Sequence, residues 1–171
     1  DSAAGLIADH LRADGSRDWQ LRPNQLFVDA LASDQMKRSV FKKVTAELVY
    51  PHGVASLSQN DPEFHPYHHY APAYVQDAAY HNGIVWTWLA GPWIDRATSY
   101  GLSDLAFQVT EDMEHQLLDR GAVGTLSELL DAAPRPGERE PRLSGTYSQA
   151  WSIAEFVRAF YQAYCGVQVD A

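Results

Sequence analysis

The chain has 171 residues, carries a formal net charge of −9, and is nearly half hydrophobic. A chain of this length buries about two-thirds of the surface that its unfolded form exposes, so it can form a real core. The acidic balance disfavours nucleic acid as a partner, because no basic run of residues offsets it. A single cysteine excludes an internal disulfide and an all-cysteine metal site, which favours a reducing, cytoplasmic setting.

Targeting and membrane segments are not expected from the sequence. The most apolar stretch, residues 84–94, has about half the length that a bilayer crossing needs, and Gly91-Pro92 interrupts it. Asp1 is not an initiating Met, and no basic-then-apolar leader follows it. We therefore expect no transmembrane segment, no signal peptide and further residues upstream.

The first half of the chain predicts a loop or strand fragments, two helices and a long loop. The Asp-Gly pair at 14–15 indicates a turn. A short helix is predicted over 23–31, with a proline at its first position. Apolar positions over 33–49 fall on one stripe, which predicts a helix with one wet face. The segment 51–81, rich in Pro, His and Tyr, has no periodicity and is the kind of long loop that is usually functional or disordered.

The second half predicts further helices of two kinds. Residues 82–100 are apolar nearly all round and predict a buried helix. Residues 101–121 predict an amphipathic helix with Ser103 as its N-cap. A short helical turn is expected over 125–131, and another mostly apolar helix over 146–164.

Buried and amphipathic helices thus alternate along the chain. An α/α toroid requires this alternation, because its inner helices touch neighbours on both sides whereas its outer helices touch water. The sequence has no internal repeat and no interdomain linker. We therefore predict an all-α fold of toroid type, with residues 1–171 forming a single domain or part of one.

Glu128 is the first candidate for chemistry. It lies near aromatic and amide side chains, and sugar hydrolysis requires one carboxyl group to protonate the leaving oxygen and another to activate water or attack the anomeric carbon. The spacing Thr125-x-x-Glu128 is equally a capping box, in which Glu128 would only fix the start of a helix. Gln149 stands in the same relation to Thr146. Spacing alone leaves both interpretations open.

Four histidines, His65, His68, His69 and His81, form the second candidate group. Imidazoles are good zinc ligands, but this spacing matches no metal motif. We expect no metal site and no cofactor. The histidines are instead interpreted as surface residues or as donors to sugar hydroxyl groups.

Aromatic and polar residues at predicted helix starts form the third group. Trp86 and Trp151 lie in the first turns of the two mostly apolar helices, where an indole can pack in the core and also contact a ligand. Arg22, Asn24 and Gln25 occupy the matching place on the first helix. Three such polar residues are more than capping alone needs.

Five short motifs in order resemble the C-terminal half of the catalytic domain of the amylo-α-1,6-glucosidase, or glycogen debranching enzyme, family. The motifs are Arg22-Pro23-Asn24-Gln25, Ser56-Leu57-Ser58 with Asp61-Pro62 and Tyr67, Tyr80-His81-Asn82-Gly83 leading into Val85-Trp86-x-Trp88-Leu89-x-Gly91-Pro92, Ser127-Glu128, and Gln149-Ala150-Trp151-Ser152. The resemblance spans nearly the whole chain. It implies the second half of an (α/α)6 toroid that removes an α-1,6-linked glucose from a branch stub by inversion.

The resemblance also implies roles for individual residues. The Ser-Glu motif resembles the one that supplies the general base, which is Glu128 here, whereas the general acid of the family lies on an earlier segment that nothing in this chain matches. Inversion would require the two carboxyl groups to lie roughly 6.5–9.5 Å apart. The implied glucose-site residues are Arg22, Asn24, Gln25, Asp61, His81, Trp86, Gln149 and Trp151.

Two departures from the family pattern leave alternatives open. Thr87 stands where the family commonly has proline between two tryptophans, and the loop 132–142 is more basic and richer in proline than expected. The expected ligand is a glycogen-type glucan or a malto-oligosaccharide. The alternatives are another toroid glycosidase, trehalase-like or glucoamylase-like, and a non-catalytic half-barrel that binds oligosaccharide. In either case, exposed apolar edges predict a homodimer or association with a missing N-terminal part of the same protein.

Overall fold

A computed structural model of the chain describes residues 5–28, 32–71 and 73–168. The chain divides into two compact units, each with buried apolar residues of its own. The last three residues of the helix predicted over 23–31 lie outside the described residues. The prediction of one domain, or part of one, over residues 1–171 stays a prediction.

The first unit comprises residues 1–49 and 55–84. Its helices are a 3-10 helix at Pro23–Phe27, α1 at Asp34–Glu47 and α2 at Gln76–Tyr80. Helix α1 starts where Ser33 Oγ accepts a hydrogen bond from the Met36 backbone N–H, at 3.4 Å. It then buries Val40 and Val44 on the predicted stripe, so the helix expected over 33–49 is confirmed.

The second unit comprises residues 50–54 and 85–171. Its helices are a 3-10 helix at Thr87–Leu89, α3 at Ala90–Ser99, α4 at Ser103–Asp119, α5 at Ala150–Ala159 and a π-helical turn at Phe160–Tyr164. Trp93, Ile94 and Met113 are buried at its centre. Ser103 is the first residue of α4 and not its N-cap: Leu102 occupies the cap position, and no side chain caps this end.

Five short strands form a sheet. They are β1 at Val49–Tyr50, β2 at Gly53–Ala55, β3 at Val85–Trp86, β4 at Leu129–Leu130 and β5 at Leu143–Ser144, and they lie in chain order. Strand β4 is antiparallel to both of its neighbours, with Leu129 opposite Trp86 on one side and Ser144 on the other. The prediction of an all-α fold, and with it the second half of a toroid, is therefore wrong.

Local chemistry explains the two segments where a strand replaces the predicted helix. Ile84 and Val85 are β-branched, and with Trp86 they favour a strand before the chain turns into α3. Pro92 is tolerated because it lies in the first turn of α3, where a backbone N–H has no helical partner. In 125–131 the two leucines of β4 are fully buried between β3 and β5, so sheet pairing overrides their helix propensity.

The expected alternation of burial holds for two helices of the second unit and fails for the third. Helix α3 is buried as predicted, and α4 has the predicted wet face. Helix α5 was expected to be mostly buried, but Trp151 and Val157 are almost half exposed. None of the helices in the described ranges combines the length and hydropathy that a bilayer crossing needs.

Candidate functional site

The backbone of Glu128 is hydrogen-bonded to two other segments of the second unit. Its N–H donates to the Thr146 carbonyl at 2.8 Å, and its own carbonyl accepts from the Thr87 N–H at 3.3 Å. The residue directly precedes β4 and is paired on both sides by the extensions of β3 and β5. The sheet therefore fixes the backbone of Glu128.

The carboxylate of Glu128 is held as well as its backbone. Oε2 accepts a hydrogen bond from the Thr146 N–H at 2.9 Å, and the side chain is half-buried. Gly145 makes room for it: a Cβ at this position would lie 2.7 Å from Oε2, and the φ of +69° is one that side-chain-bearing residues rarely adopt. A backbone donor and a glycine thus orient this carboxylate.

Neither of the two possible capping boxes forms. No helix begins near Thr125, whose hydroxyl donates to the carbonyls of Ala122 and Tyr147. Gln149 occupies the N-cap position of α5 itself, and its side chain makes no capping hydrogen bond. The capping interpretation of Glu128, which spacing alone left open, is therefore wrong.

Three tryptophans lie together in the same unit. The Trp151 ring centroid is 6.1 Å from that of Trp86 and 6.0 Å from that of Trp88. Trp86 is buried, Trp88 is half-buried and Trp151 is 46 % exposed, so the cluster runs from the core to the surface. Indoles with this gradient provide both an anchor and an open apolar face.

The first residues of α5 are hydrogen-bonded to the segment that carries Glu128. The Gln149 N–H donates to the Leu126 carbonyl at 2.9 Å, and Ser152 Oγ donates to the Ser127 carbonyl at 3.3 Å. Ser127 is held from the other side, since its N–H donates to Gln116 Oε1 on α4 at 2.9 Å. Backbone hydrogen bonds and a ring contact thus connect the segments that carry four predicted site residues of the second unit, namely Trp86, Glu128, Gln149 and Trp151.

Two residues beside these predicted ones, Trp88 and Gly145, were not predicted as site residues from the sequence. Trp88 was named only within a motif, because its ring contact is with Trp151, far along the chain. Gly145 follows the proline-rich loop and carried no visible signal, because its role depends on its pairing partner and not on its neighbours in sequence.

Arg22 lies in the first unit and hydrogen-bonds backbone carbonyls and side-chain amides. Its guanidinium donates to the His81 carbonyl at 2.5 Å, to Asn82 Oδ1 at 2.9 Å and to Gln20 Oε1 at 2.7 Å. A weaker contact reaches the Ser56 carbonyl at 3.4 Å. These bonds join three of the sequence motifs within the first unit.

Gln25 and Asn24 hold the N-terminal segment in place. The Gln25 amide exchanges two hydrogen bonds with the backbone of Ile7, at 2.7 and 3.1 Å, and is buried. The Asn24 amide donates to Asp9 Oδ1 at 2.8 Å. Both ends of the Gln25 amide therefore already hydrogen-bond the backbone, which leaves this side chain few hydrogen bonds to offer a sugar.

Asp61 and His81 also lie in the first unit, on loops. Asp61 Oδ1 accepts from the Glu63 N–H at 2.9 Å, which shapes a tight turn, and has a long contact of 3.5 Å with Gln20 Nε2. The exposed His81 ring meets the Tyr80 ring edge-on, with centroids 4.9 Å apart. The predicted residues therefore fall into two groups, one in each unit.

The histidine-rich loop forms an aromatic cluster in the first unit. His65 stacks on Tyr74 with ring centroids 4.2 Å apart, and the buried His68 ring lies 4.1 Å from that of His69. In the part of the chain that the structure describes, no three His, Cys, Asp or Glu side chains are arranged to hold a metal ion.

The second unit thus holds an oriented carboxylate and a partly exposed indole on connected segments, and these are the two kinds of group that a carbohydrate-directed site uses, since aromatic faces hold a sugar ring and a carboxyl group acts on it. A family model described as amylo-alpha-1,6-glucosidase matches residues 1–158, and the chain belongs to this family. This confirms the resemblance inferred from the five motifs and relates the protein to glycoside hydrolases of glycogen debranching type. No curated protein matches the chain.

Proposed function

We propose that the chain supplies the general base for hydrolysis of an α-1,6-linked glucose at a branch stub of a glycogen-type glucan. Glu128 would remove a proton from a water molecule that attacks C1 of the sugar, with inversion of configuration. The observation that carries this proposal is the held carboxylate: Oε2 of Glu128 accepts the Thr146 N–H, and Gly145 leaves the space that the carboxylate needs.

The tryptophan cluster supports a sugar as the ligand. Trp151 is 46 % exposed and meets both Trp86 and Trp88, so it offers an apolar face that is backed by two further indoles. Such a face packs against the C–H side of a pyranose ring without requiring a charge. Gln149, half-buried and two residues before Trp151, is proposed to hydrogen-bond sugar hydroxyl groups.

The general acid is proposed to lie outside this chain, in an upstream part of the same protein or in a second copy. Asp61 and His81 stay proposals as sugar contacts from the first unit, as do Arg22, Asn24 and Gln25. The hydrogen bonds of Arg22 and Gln25 give these two residues structural work, so their part in binding would be to shape the loops around the sugar.

The test is glucose release from a branched limit dextrin by this chain, by an upstream-extended chain, and by the Glu128→Gln variant of each. We expect release from the extended chain, β-glucose as the first product by NMR, and a loss of about 100-fold or more in Glu128→Gln. Glu114→Gln is the matched control, because Glu114 is an exposed carboxylate on α4. It should leave the rate unchanged.

Each part of the proposal can fail separately. Full activity in the Glu128→Gln extended chain would place the base elsewhere, and activity in the 171-residue chain would mean that the acid is already present. Dextrin binding by every version without any glucose release would favour the second candidate, a binding module. The exposed indole of Trp151 favours that candidate.

A further inference from the structure

The second unit contains a cavity beside α4. It has a volume of about 360 Å³, and its walls come from the turn at 50–52, from α4 and from the loop at 132–141. That loop is the one whose basic and proline-rich sequence departs from the family pattern. None of Trp86, Trp88, Glu128, Gln149 or Trp151 lines the cavity.

The apolar walls of the cavity are rigid. Pro51, Pro134 and Pro141 line it together with the Tyr50 ring. Burial raises the pKa of the Tyr50 phenol, so this group stays neutral at every physiological pH. A cavity of this size, with stiff apolar walls and a few polar groups, is typical of a small-molecule site.

Two charged groups of opposite sign at the cavity keep unused hydrogen-bonding capacity among the described residues. Asp112 is half-buried, and its Oδ2 is buried without a hydrogen-bond partner among the described residues. Arg139 is exposed, and its guanidinium makes no hydrogen bond or ion pair within the described part of the chain. A native protein rarely leaves a buried carboxylate oxygen unsatisfied unless something else, such as a ligand, compensates the charge.

The remaining polar groups of the cavity already have partners. Arg120 pairs with Glu140 at 2.9 Å, and His115 lies 3.6 Å from the same carboxylate and 3.1 Å from Asp119. His52 Nε2 lies 3.0 Å from the Asp131 carbonyl, and burial lowers the pKa of this imidazole, which keeps it neutral. The Asp112 charge acts on His52, whose pKa it raises against the larger effect of burial, but Asp112 Oδ2 and the Arg139 guanidinium still have hydrogen-bonding capacity for a ligand.

The charges decide which ligand fits. A phosphate would face Asp112 and Glu140, and a cation would face Arg139 and Arg120. A neutral polyol avoids both conflicts, because its hydroxyl groups donate to a carboxylate and accept from a guanidinium at the same time. Its C–H face would pack on Tyr50 and the prolines.

We infer that this cavity is a second saccharide site, which binds one glucosyl unit of the glucan away from Glu128. The choice of a glucosyl unit rests on the proposed function, whereas the neutral polyol class rests on the cavity itself. Such a site would hold a neighbouring part of a branched chain while the branch stub is processed.

The experiment is titration of the 171-residue chain with maltotriose, followed by calorimetry and by the NMR signals of histidine rings and tryptophan indoles. We expect the His52 and His115 signals to move, because both rings line the cavity. Asp112→Asn and Arg139→Ala should each weaken the response of these signals about tenfold, the effect of one lost charge-assisted hydrogen bond. Glu114→Gln and Glu128→Gln should leave the response unchanged.

Stability of each variant is checked by thermal unfolding. If Asp112→Asn does not fold, the exposed Arg139 still carries the test. Histidine signals that do not move with maltotriose, or that move equally in Arg139→Ala, would overturn the inference, and signals that respond to inorganic phosphate alone would replace it with an anion site. Failure of Glu128→Gln to abolish glucose release would overturn the proposed base and leave this site standing.

Discussion

Helices α3 and α5 look alike in sequence and differ in the structure. Both are apolar helices of ten residues in the second unit, and they pack against each other. In α3 the side chain of Trp93 is fully buried, whereas in α5 Trp151 is 46 % exposed. The residues that α5 buries are small, Ser152 and Ala159.

The apolar composition of a helix sets an upper limit on the side-chain surface that it can bury. The elements packed around the helix decide how much of that surface is buried. Helix α3 has α4 on one side and α5 on another, so its large residues are enclosed. Helix α5 meets α3 through the polar side chains of Glu155 and Arg158, and it leaves Trp151 and Val157 almost half exposed. An exposed aromatic face of this kind is typical of an interaction site, which suits Trp151 as a sugar platform.

Replacing one tryptophan in each helix tests this comparison with the largest expected effect. Trp93→Ala should lower the free energy of unfolding by about 3–5 kcal/mol, because it leaves a large cavity in the core. Trp151→Ala should cost only about 1 kcal/mol, the value of its aromatic contacts, and should instead reduce dextrin affinity. Urea unfolding of both variants gives the comparison directly.

Equal losses of stability in the two variants would contradict the assignment of α5 as an exposed helix. Trp19→Ala is a useful control, since Trp19 is 39 % exposed and belongs to the first unit. It should cost little stability and leave the contacts between α3 and α5 unchanged.

The contact between the two helices depends on Gly91 of α3. A Cβ there would meet the Glu155 carboxylate, and it would lie 3.0 Å from the Glu155 Cβ. Gly91→Ala gains helix propensity of about 1 kcal/mol, but crowding of a packed contact costs about 1–3 kcal/mol. We expect a net loss of about 1 kcal/mol in urea unfolding.

A double-mutant cycle separates the two contributions to the Gly91 effect. In a Glu155→Ala background the carboxylate is gone, so Gly91→Ala should cost less or become stabilising. An unchanged cost in that background would mean that α5 does not press on this glycine. The matched control is Gly101→Ala, which has open space around it but a φ of +80°, so its cost should be independent of Glu155.

The helices that could be predicted from sequence have apolar residues along one face or glycines and caps that mark their ends. Helix α1 has an N-cap serine and apolar residues at helical spacing, and α4 has one wet face between two glycines. The strands could not be predicted in this way, because a pair of residues such as those of β3 or β4 is too short to show a period of two. Their pairing depends on residues far along the chain.

The candidate site was predicted in part. Glu128, Trp86, Gln149 and Trp151 were chosen mainly because their motifs resemble those of a known family, and all four belong to the second unit, on segments that hydrogen bonds and ring contacts connect. The resemblance also implied Gln25, whose amide bonds the Ile7 backbone, and sequence does not tell an amide that binds a ligand from one that holds the backbone.

The smallest expected effect concerns the ion pairs that join α3 and α5. Arg158 of α5 lies 2.7 Å from both Asp95 of α3 and Glu155 of its own helix. The hydrogen bonds with Glu155, and then those with Asp95, raise the pKa of Arg158. Because the guanidinium is partly exposed, water screens much of this interaction, and Arg158→Met should cost about 0.5–1 kcal/mol.

Salt distinguishes an ion pair from packing in this variant. The stability difference between Arg158→Met and the parent chain should shrink in 1 M salt, where screening acts over about 3 Å. Methionine keeps most of the apolar stem, so a difference that persists unchanged in salt would assign the loss to packing and not to charge. Arg142→Met is the matched control, because Arg142 pairs with Glu138 in an exposed loop and joins no helices. A larger loss there than at Arg158 would mean that the loop, and not the contact between α3 and α5, depends on its arginine.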